Sequence, residues 1–434
     1  MLIKKQREEK KKNSWAFLSA EGHADTGILI ILVVMICFGL VMLFSASMTL
    51  ALQMEKTNAW YYVGRQLIFS LLGFVAIWFL TRRDVRRFAS KHTMLTLYAF
   101  ITILLILVLI PGIGVNVNNQ RRWLPFFFKM TFQPSEIAKL AVVFCSACYY
   151  PLLSRARRAG KIKASTPIKQ VILDFWYDMG QPLVAVGIWC LLILRQSHFS
   201  AALILVCELI IVFIVAGIQR SSWQVFILIS GAVILLLLLV FLIAGPAIIE
   251  AMQDSRRMAH IINRFQSFKG EINDTSYQPM QALIAIGSGG LSGVGLGMGV
   301  QKYNYLPEAH NDYVFAIICE ELGFIGALLV LALFLIYFWR GLNIVERTTT
   351  RFGRIVASGF ATLITMQALL SMAVNLYIIP ATGVSLPFFS YGGTSNLFFM
   401  IGIGLLLNVS KFGTIPRTEN NVATSTEETG VLHS

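Results

Sequence analysis

The sequence predicts an all-α polytopic membrane protein: ten transmembrane helices, both termini cytoplasmic, and one large extracytoplasmic loop between helices 7 and 8. Three observations carry this. Hydrophobic residues make up 56% of the 434 positions and charged residues 13%, at a mean hydropathy of +0.69, which leaves too little polar surface to cover a soluble globule of this length. Apolar runs near the ~20 residues that a bilayer requires recur along the chain. The connections between them differ in Lys and Arg content, as in a chain of fixed orientation.

The runs fall at about 27–50, 65–80, 94–111, 136–151, 181–195, 200–218, 224–245, 313–339, 354–377 and 395–411. The first follows a basic stretch (Lys4, Lys5, Arg7, Lys10, Lys11, Lys12) and is too long for a signal-peptide core, so it reads as a retained span. The turn Arg195-Gln196-Ser197-His198 between the fifth and sixth runs is very short. With the N-terminus inside, 24 of the 36 Lys and Arg residues face the cytoplasm, twice the outer share. An even number of spans also returns the polar tail from Thr418 to Ser434 to that side. The net charge of +14 is therefore mostly a topology signal and not a nucleic-acid footprint. The expected organisation is a basic tail over 1–24, a membrane domain over 25–412 with a large external loop at 246–312, and a polar tail over 413–434.

All six cysteines (Cys37, Cys145, Cys148, Cys190, Cys207, Cys319) lie in apolar runs, where a thiol packs as a small hydrophobe. Cys145 and Cys148 form a C-x-x-C with no partner pair and no nearby histidine, so packing is the expected role.

Two external segments, roughly 112–135 and 246–312, are long for a compact membrane domain, and long loops are usually functional or disordered. The second carries Arg256, Arg257, Arg264, Lys269 and Lys302 together with a glycine-dense stretch from Gly287 to Gly297. No three of those glycines satisfy G-x-G-x-x-G and no strand precedes them, which argues against a nucleotide cradle. A flexible or re-entrant segment with close backbone packing is the better fit.

Tyr305–Phe315 sets Glu308, His310 and Asp312 directly before a long apolar helix. A carboxylate at the interface is partly desolvated and binds a proton more readily than a free one, which suits a general base. Asp also favours helix N-caps, so cap and base both stand as readings of Asp312. Glu308 and His310 are candidates to orient it, bind substrate or hold an ion. Glu320 lies roughly 12 Å further along the same helix. At that depth Glu320 and Glu321 are expected to pair structurally, as is Glu208 in the sixth run.

In the other long segment Arg121-Arg122-Trp123 precedes Gln133-Pro134-Ser135-Glu136 and Lys139. Pro134 suits a first helical position, and Glu136 and Lys139 at i, i+3 share a face. They form an ion pair at a helix mouth, or else line a cleft with Arg121, Arg122 and the basic 256–302 segment. Such a cleft would suit a phosphate-bearing ligand.

A series of motifs now stands in order: R-R-W at 121–123, Q-P-S-E-x-x-K at 133–139, arginines around 256–264, and Y-Q-P-M-Q-A-L-I-A-I-G-S-G-G at 277–290. G-x-G-L-G with Q-K-Y at 293–303, L-P-E-A-H-N-D-Y-V-F at 306–315, E-E-L-G at 320–323 and L-P-F-F-S-Y-G-G-T-S at 386–395 complete it. In these motifs the chain resembles the SEDS family (shape, elongation, division and sporulation), the FtsW/RodA/SpoVE proteins, from about Asp25 to Phe412. It looks more like the division and sporulation members than the elongation member. It departs from the family at Arg195–Ser200, where Q-P-D-x-G-T is common, and at Asn118-Asn119-Gln120, where small residues are common.

The resemblance implies a peptidoglycan glycosyltransferase that polymerises lipid II on the outer face of the cytoplasmic membrane during cell division, inverting the anomeric carbon and releasing undecaprenyl diphosphate. Asp312 matches the family's essential acidic residue. The substrate-binding candidates are Arg121, Arg122, Gln133, Glu136, Lys139, Arg256, Arg257, Arg264, Lys302, Glu308 and His310. Basic groups, with or without a divalent cation (Mg or Mn), would stabilise the leaving diphosphate. The implied partners are a class B penicillin-binding transpeptidase, other division proteins and membrane lipid, with no nucleic acid. A lipid II flippase and a non-catalytic division scaffold are the competing readings. The flippase needs polar groups open to both faces, whereas the motif residues cluster at external helix ends.

Overall fold

The computed structural model describes residues 24–54, 58–117, 120–125, 131–253, 277–380 and 383–413. Both expected tails (apart from Ala24 and Gly413), Asn118, Asn119, Arg256, Arg257, Arg264 and Lys269 lie outside them. The helices are α1 (Thr26–Met54), α2 (Tyr61–Arg82), α3 (Lys91–Leu109), α4 (Pro134–Arg158), α5 (Pro167–Phe175) and α6 (Gln181–Arg195), then α7 (Phe199–Val215) and α8 (Arg220–Gln253). They continue with α9 (Tyr277–Gly289), α10 (Val314–Arg347), α11 (Arg351–Asn375) and α12 (Gly393–Phe412). Among the described residues nine helical runs are long and apolar enough to cross a membrane, and Phe199–Val215 is a shorter apolar helix.

Helices suit this composition because an α-helix satisfies every backbone group within its own segment, whichever residues face hydrocarbon. Their ends follow ordinary capping rules. Pro134 opens α4, Glu136 sits in its first turn, and Arg155, Arg157 and Arg158 occupy its last, complementing the helix dipole. Ser90 and Thr350 accept hydrogen bonds from Thr93 N and Gly353 N and so cap α3 and α11. α11 is the central helix, with 78% of its span buried, whereas none of the apolar span of α8 is buried. Gly341 on α10 faces Ala361 on α11, and Gly359 on α11 faces Val143 on α4. Small residues let these backbones approach closely.

Three expectations change. The 112–135 segment is not simple loop: strands Val115–Val117 (β1), Gln120–Pro125 (β2) and Thr131–Phe132 (β3) form a small antiparallel sheet in the order β1-β2-β3, so the chain is not wholly α. The fifth run begins earlier than 181, because α5 feeds through a π-helical turn, Trp176–Gly180, into α6. Buried Asp178 in that turn binds Arg157 Nη1 at 2.8 Å and Ser222 Oγ at 2.8 Å, which holds the turn against α4 and α8.

The third change is the largest. The segment 246–312, expected as one external loop, contains helix through Gln253 and the 13-residue α9. After α9 the glycine-rich chain lies as a strap against a break in α10. Gly323 has φ 67° and ψ −162°, a conformation open essentially to glycine alone. Around it Val294 N donates to Glu320 O at 3.0 Å and Gly295 N to Glu321 O at 3.0 Å. In return Phe324 N donates to Gly290 O at 2.9 Å and Ile325 N to Leu291 O at 3.2 Å. The strap thus replaces the helical hydrogen bonds that the break removes, as required of irregular backbone within an apolar layer. Leu291, Val294, Leu296, Met298 and Val300 on it are exposed, which suits a lipid-facing re-entrant segment.

Candidate active site at the start of α10

One end of the bundle gathers the start of α2, the sheet, the α6–α7 turn, the loop before α10 and the segment between α11 and α12. Asn304 on the loop bonds Gln53 at the end of α1 (2.9 Å), and Gln196 Nε2 donates to Leu105 O near the end of α3 (3.2 Å). Asp312 lies here, one residue before Tyr313, the N-cap position of α10.

Asp312 is thus not itself the N-cap residue of α10. The Tyr313 side chain makes no capping bond, and the first-turn N–H of Ala316 donates to Asn375 Oδ1 at 3.0 Å. Asn375, the last residue of α11, is fully buried. Its amide nitrogen donates to Asp312 O at 2.8 Å and to Ser371 O at 2.8 Å. The Asp312 carboxylate faces Gly383, where an added Cβ would stand 3.3 Å from Oδ2. Gly383 also has φ +66°, so two separate constraints favour glycine beside the acid.

His310 is buried in an aromatic cluster. Its ring centre is 4.8 Å from that of Tyr62 and 6.0 Å from that of Tyr391, and the two tyrosines meet edge-on at 4.8 Å. Tyr391 N donates to His310 O at 2.9 Å. Gln66 on α2 holds the same corner, donating to Ser390 O and accepting from Gly392 N. Burial lowers the His310 pKa below its ordinary value, with Glu308 acting in the opposite sense. Glu308 is exposed, has φ +56° and accepts from Asn311 Nδ2 at 2.5 Å.

The second candidate group converges on the α6–α7 turn. Side chains alternate across a strand, and Arg122 is the member of the Arg121–Arg122 pair that reaches this turn, donating to Gln196 O and Ser197 O. Gln133 Nε2 and Ser135 Oγ lie 3.0 and 3.2 Å from His198 Nδ1. Burial, then Arg122 and Lys139, hold the His198 pKa well below its ordinary value. The turn that departs from the family pattern is therefore tied to two of its motifs.

Glu136 and Lys139 form the ion pair at 2.7 Å, and both are buried. Lys139 Nζ also donates to Gln367 Oε1 on α11 at 2.5 Å, and Gln367 Nε2 donates to Ser385 O at 3.3 Å. Through Ser385 this network reaches the segment that carries Gly383 beside Asp312. Arg121 is half-buried on β2.

Lys302 is committed elsewhere. Its ammonium donates to Glu321 Oε1 at 2.6 Å, Gly297 O at 2.7 Å and Ser45 Oγ at 2.9 Å, which accounts for its three protons. Glu321 thus has the structural pairing expected of it. Glu320 instead accepts from Val300 N and Gln301 N of the strap at 2.7 and 3.1 Å. Glu208 differs: it is fully buried, and among the described residues neither carboxylate oxygen has a partner in good hydrogen-bond geometry, the Thr362 hydroxyl being a nearby polar group. Among the described residues no three His, Cys, Asp or Glu side chains form a metal-binding group. The sequence reading passed over Asn375, Gln367, Gln66, Tyr62 and Gly383, although Asn and Gln inside apolar runs are a visible signal of interhelical bonding.

Residues 26–415 match the family model described as cell cycle protein, FtsW/RodA/SpoVE. A probable peptidoglycan glycosyltransferase FtsW of Trichlorobacter lovleyi is 35% identical over 391 residues, 89% of this chain and 93% of that protein. The stage V sporulation protein E of Bacillus subtilis is 33% identical over 390 residues, 89% of this chain and 97% of that protein. A solved chain described under structural coordination of polymerization and crosslinking by a peptidoglycan synthase complex has a TM-score of 0.65 at 23% identity. The match covers 89% of this chain and 97% of that one. The rod shape determining protein RodA of Thermus thermophilus has a TM-score of 0.56 at 24% identity, over 89% and 96%.

Proposed function

This chain belongs to the cell cycle protein family of FtsW, RodA and SpoVE, a multi-pass membrane family, and on that premise we propose that it is a peptidoglycan glycosyltransferase polymerising lipid II during cell division. In the proposed topology of ten spans with both termini cytoplasmic, the start of α10 belongs to the outer face of the cytoplasmic membrane, where lipid-linked glycans are exposed. The observation that carries the reading is Asp312: its carboxylate is turned to Gly383 while Asn375 bonds the first turn of α10.

In the proposed reaction the 4-hydroxyl of one glycan loses its proton to the Asp312 carboxylate as its oxygen attacks the anomeric carbon of the other. The bond from that carbon to the diphosphate oxygen breaks, undecaprenyl diphosphate leaves, and the single displacement inverts the centre. General-base assistance of this kind contributes roughly 10²–10⁴ in rate. Preorganised positive charge stabilises the departing diphosphate. Arg121 on the sheet and Arg256, Arg257 and Arg264 in the segment before α9 are the candidates for this. Arg122 and Lys139 are already engaged in shaping the site and Lys302 in holding the strap to α10, and Gln133, Glu136, Glu308 and His310 complete the candidate substrate-binding set. A divalent cation, Mg or Mn, would draw its ligands mainly from diphosphate and water, since such ions are commonly held by only one or two carboxylates. A class B penicillin-binding transpeptidase and other division proteins are the proposed partners.

One observation favours a second reading, a lipid II flippase: the broken α10 with its strap, since discontinuous helices near the midplane are a transporter feature. The test is purified protein in detergent given lipid II with and without the transpeptidase. Glycan strands support the polymerase. No polymer, with labelled lipid II crossing sealed vesicles, supports transport, and neither activity supports a scaffold.

A further inference from the structure

Most acidic residues placed just before a helix would cap it. A free carboxylate beside unsatisfied first-turn N–H groups is drawn to them, since they are donors and carry the positive end of the dipole. A base so engaged is held in the wrong direction. At α10 a side-chain oxygen from another helix reaches the first turn: Asn375 Oδ1 accepts from Ala316 N at 3.0 Å, sharing that proton with Tyr313 O at 3.0 Å.

The same amide holds the residue before the helix, donating to Asp312 O at 2.8 Å, and anchors itself on α11 through Ser371 O at 2.8 Å. Asn375 is fully buried, so neither bond competes with water. Each end of this amide is used: the oxygen takes one N–H, and the nitrogen gives both of its protons. A carboxylate in its place would lose both donors, and an aliphatic side chain would lose all three bonds.

We propose that Asn375 is a positioning residue for Asp312: it ties the end of α11 to the first turn of α10 and to the Asp312 backbone, and so fixes the direction in which the carboxylate is presented, towards Gly383. This rests on Asp312 acting as the base. Without Asn375 the Asp312 backbone is no longer tied to α11, the carboxylate loses its fixed position, and the reacting hydroxyl loses a well-placed acceptor. The lipid-linked substrates do not touch Asn375, so their binding is unchanged.

The experiment is steady-state polymerisation of lipid II by the purified protein with its transpeptidase partner, comparing Asn375→Ala and Asn375→Asp with wild type. Asn375→Asp retains an oxygen for Ala316 N–H while removing the donor to Asp312 O, and serves if the alanine variant does not fold. The expected result is kcat lower by on the order of 10²-fold, the loss typical of misplacing a catalytic group by about 1 Å, with the KM for lipid II unchanged. A merely structural role would lower the amount of folded protein and leave kcat per folded molecule unaltered. Wild-type kcat in either folded variant, or a raised KM at unchanged kcat, overturns the proposal. Asp312→Ala run alongside separates the two claims: if it alone polymerises at the wild-type rate, the reading of Asp312 falls, whereas loss in Asp312→Ala with wild-type kcat in the Asn375 variants removes only the positioning role.

Discussion

Lys302 and Glu321 form a buried ion pair, Nζ to Oε1 2.6 Å, that ties the strap to α10 two residues before its break. Ser45 on α1 donates to both Glu321 oxygens, at 2.6 and 2.8 Å, so three segments meet at one carboxylate. Removing one partner leaves the other charge uncompensated in an apolar layer.

Lys302→Ala and Glu321→Ala should therefore each destabilise the protein by about 3–5 kcal/mol. The readout is a lowered midpoint of thermal unfolding in detergent. Replacing both by apolar residues, Lys302→Met with Glu321→Leu, should recover much of the loss. Single variants with a wild-type midpoint would contradict the closed role given to this pair.

Gly323→Ala should be among the most damaging changes in α10. The backbone conformation alone costs a non-glycine residue on the order of 1–3 kcal/mol, and a Cβ there would overlap Gly293 N and Leu291 O of the strap. Loss of folded protein on gel filtration is the expected outcome. Gly287→Ala, whose Cβ meets nothing within 4 Å, is the matched control and should fold normally.

His310 makes stability sensitive to acid. Burial lowers its pKa in the folded state, so the unfolded chain binds the proton more readily. The stabilising contribution is complete above the unfolded value of about 6.5 and is lost progressively as pH falls from there through the folded value. His310→Gln should flatten that part of the stability curve between pH 7 and 5, measured as unfolding midpoint against pH. An unchanged acid slope would show that His310 does not contribute to it.

The apolar helices were legible in the sequence because a span needs only length and hydropathy, and the runs at 27–50, 136–151 and 395–411 lie inside α1, α4 and α12. The break in α10 was not: Glu320 and Glu321 marked this stretch as needing partners, but the residues after Gly323 continue an ordinary apolar run, and only the strap, bonded to α10 from 26 to 34 residues away in the chain, shows why glycine is needed there. α9 was hidden because 13 residues are too few to span and too close to glycine to read as helix. The pairing of Lys302 was half visible: Glu321 stood in a motif and was expected to pair, but nothing marked Lys302 as its partner, and Ser45, which joins them, is distant in sequence and in no motif. Asp312 could be named from the motif, but the side chain that ties its backbone to α11 is Asn375, some sixty residues away and unremarkable in an apolar run.

The most direct test of the central claim is the rate of lipid II polymerisation by purified Asp312→Ala protein with its transpeptidase partner. A base at Asp312 predicts a rate lower by roughly 10²–10⁴ with lipid II still bound at wild-type affinity. Glycan strands made at the wild-type rate would contradict it.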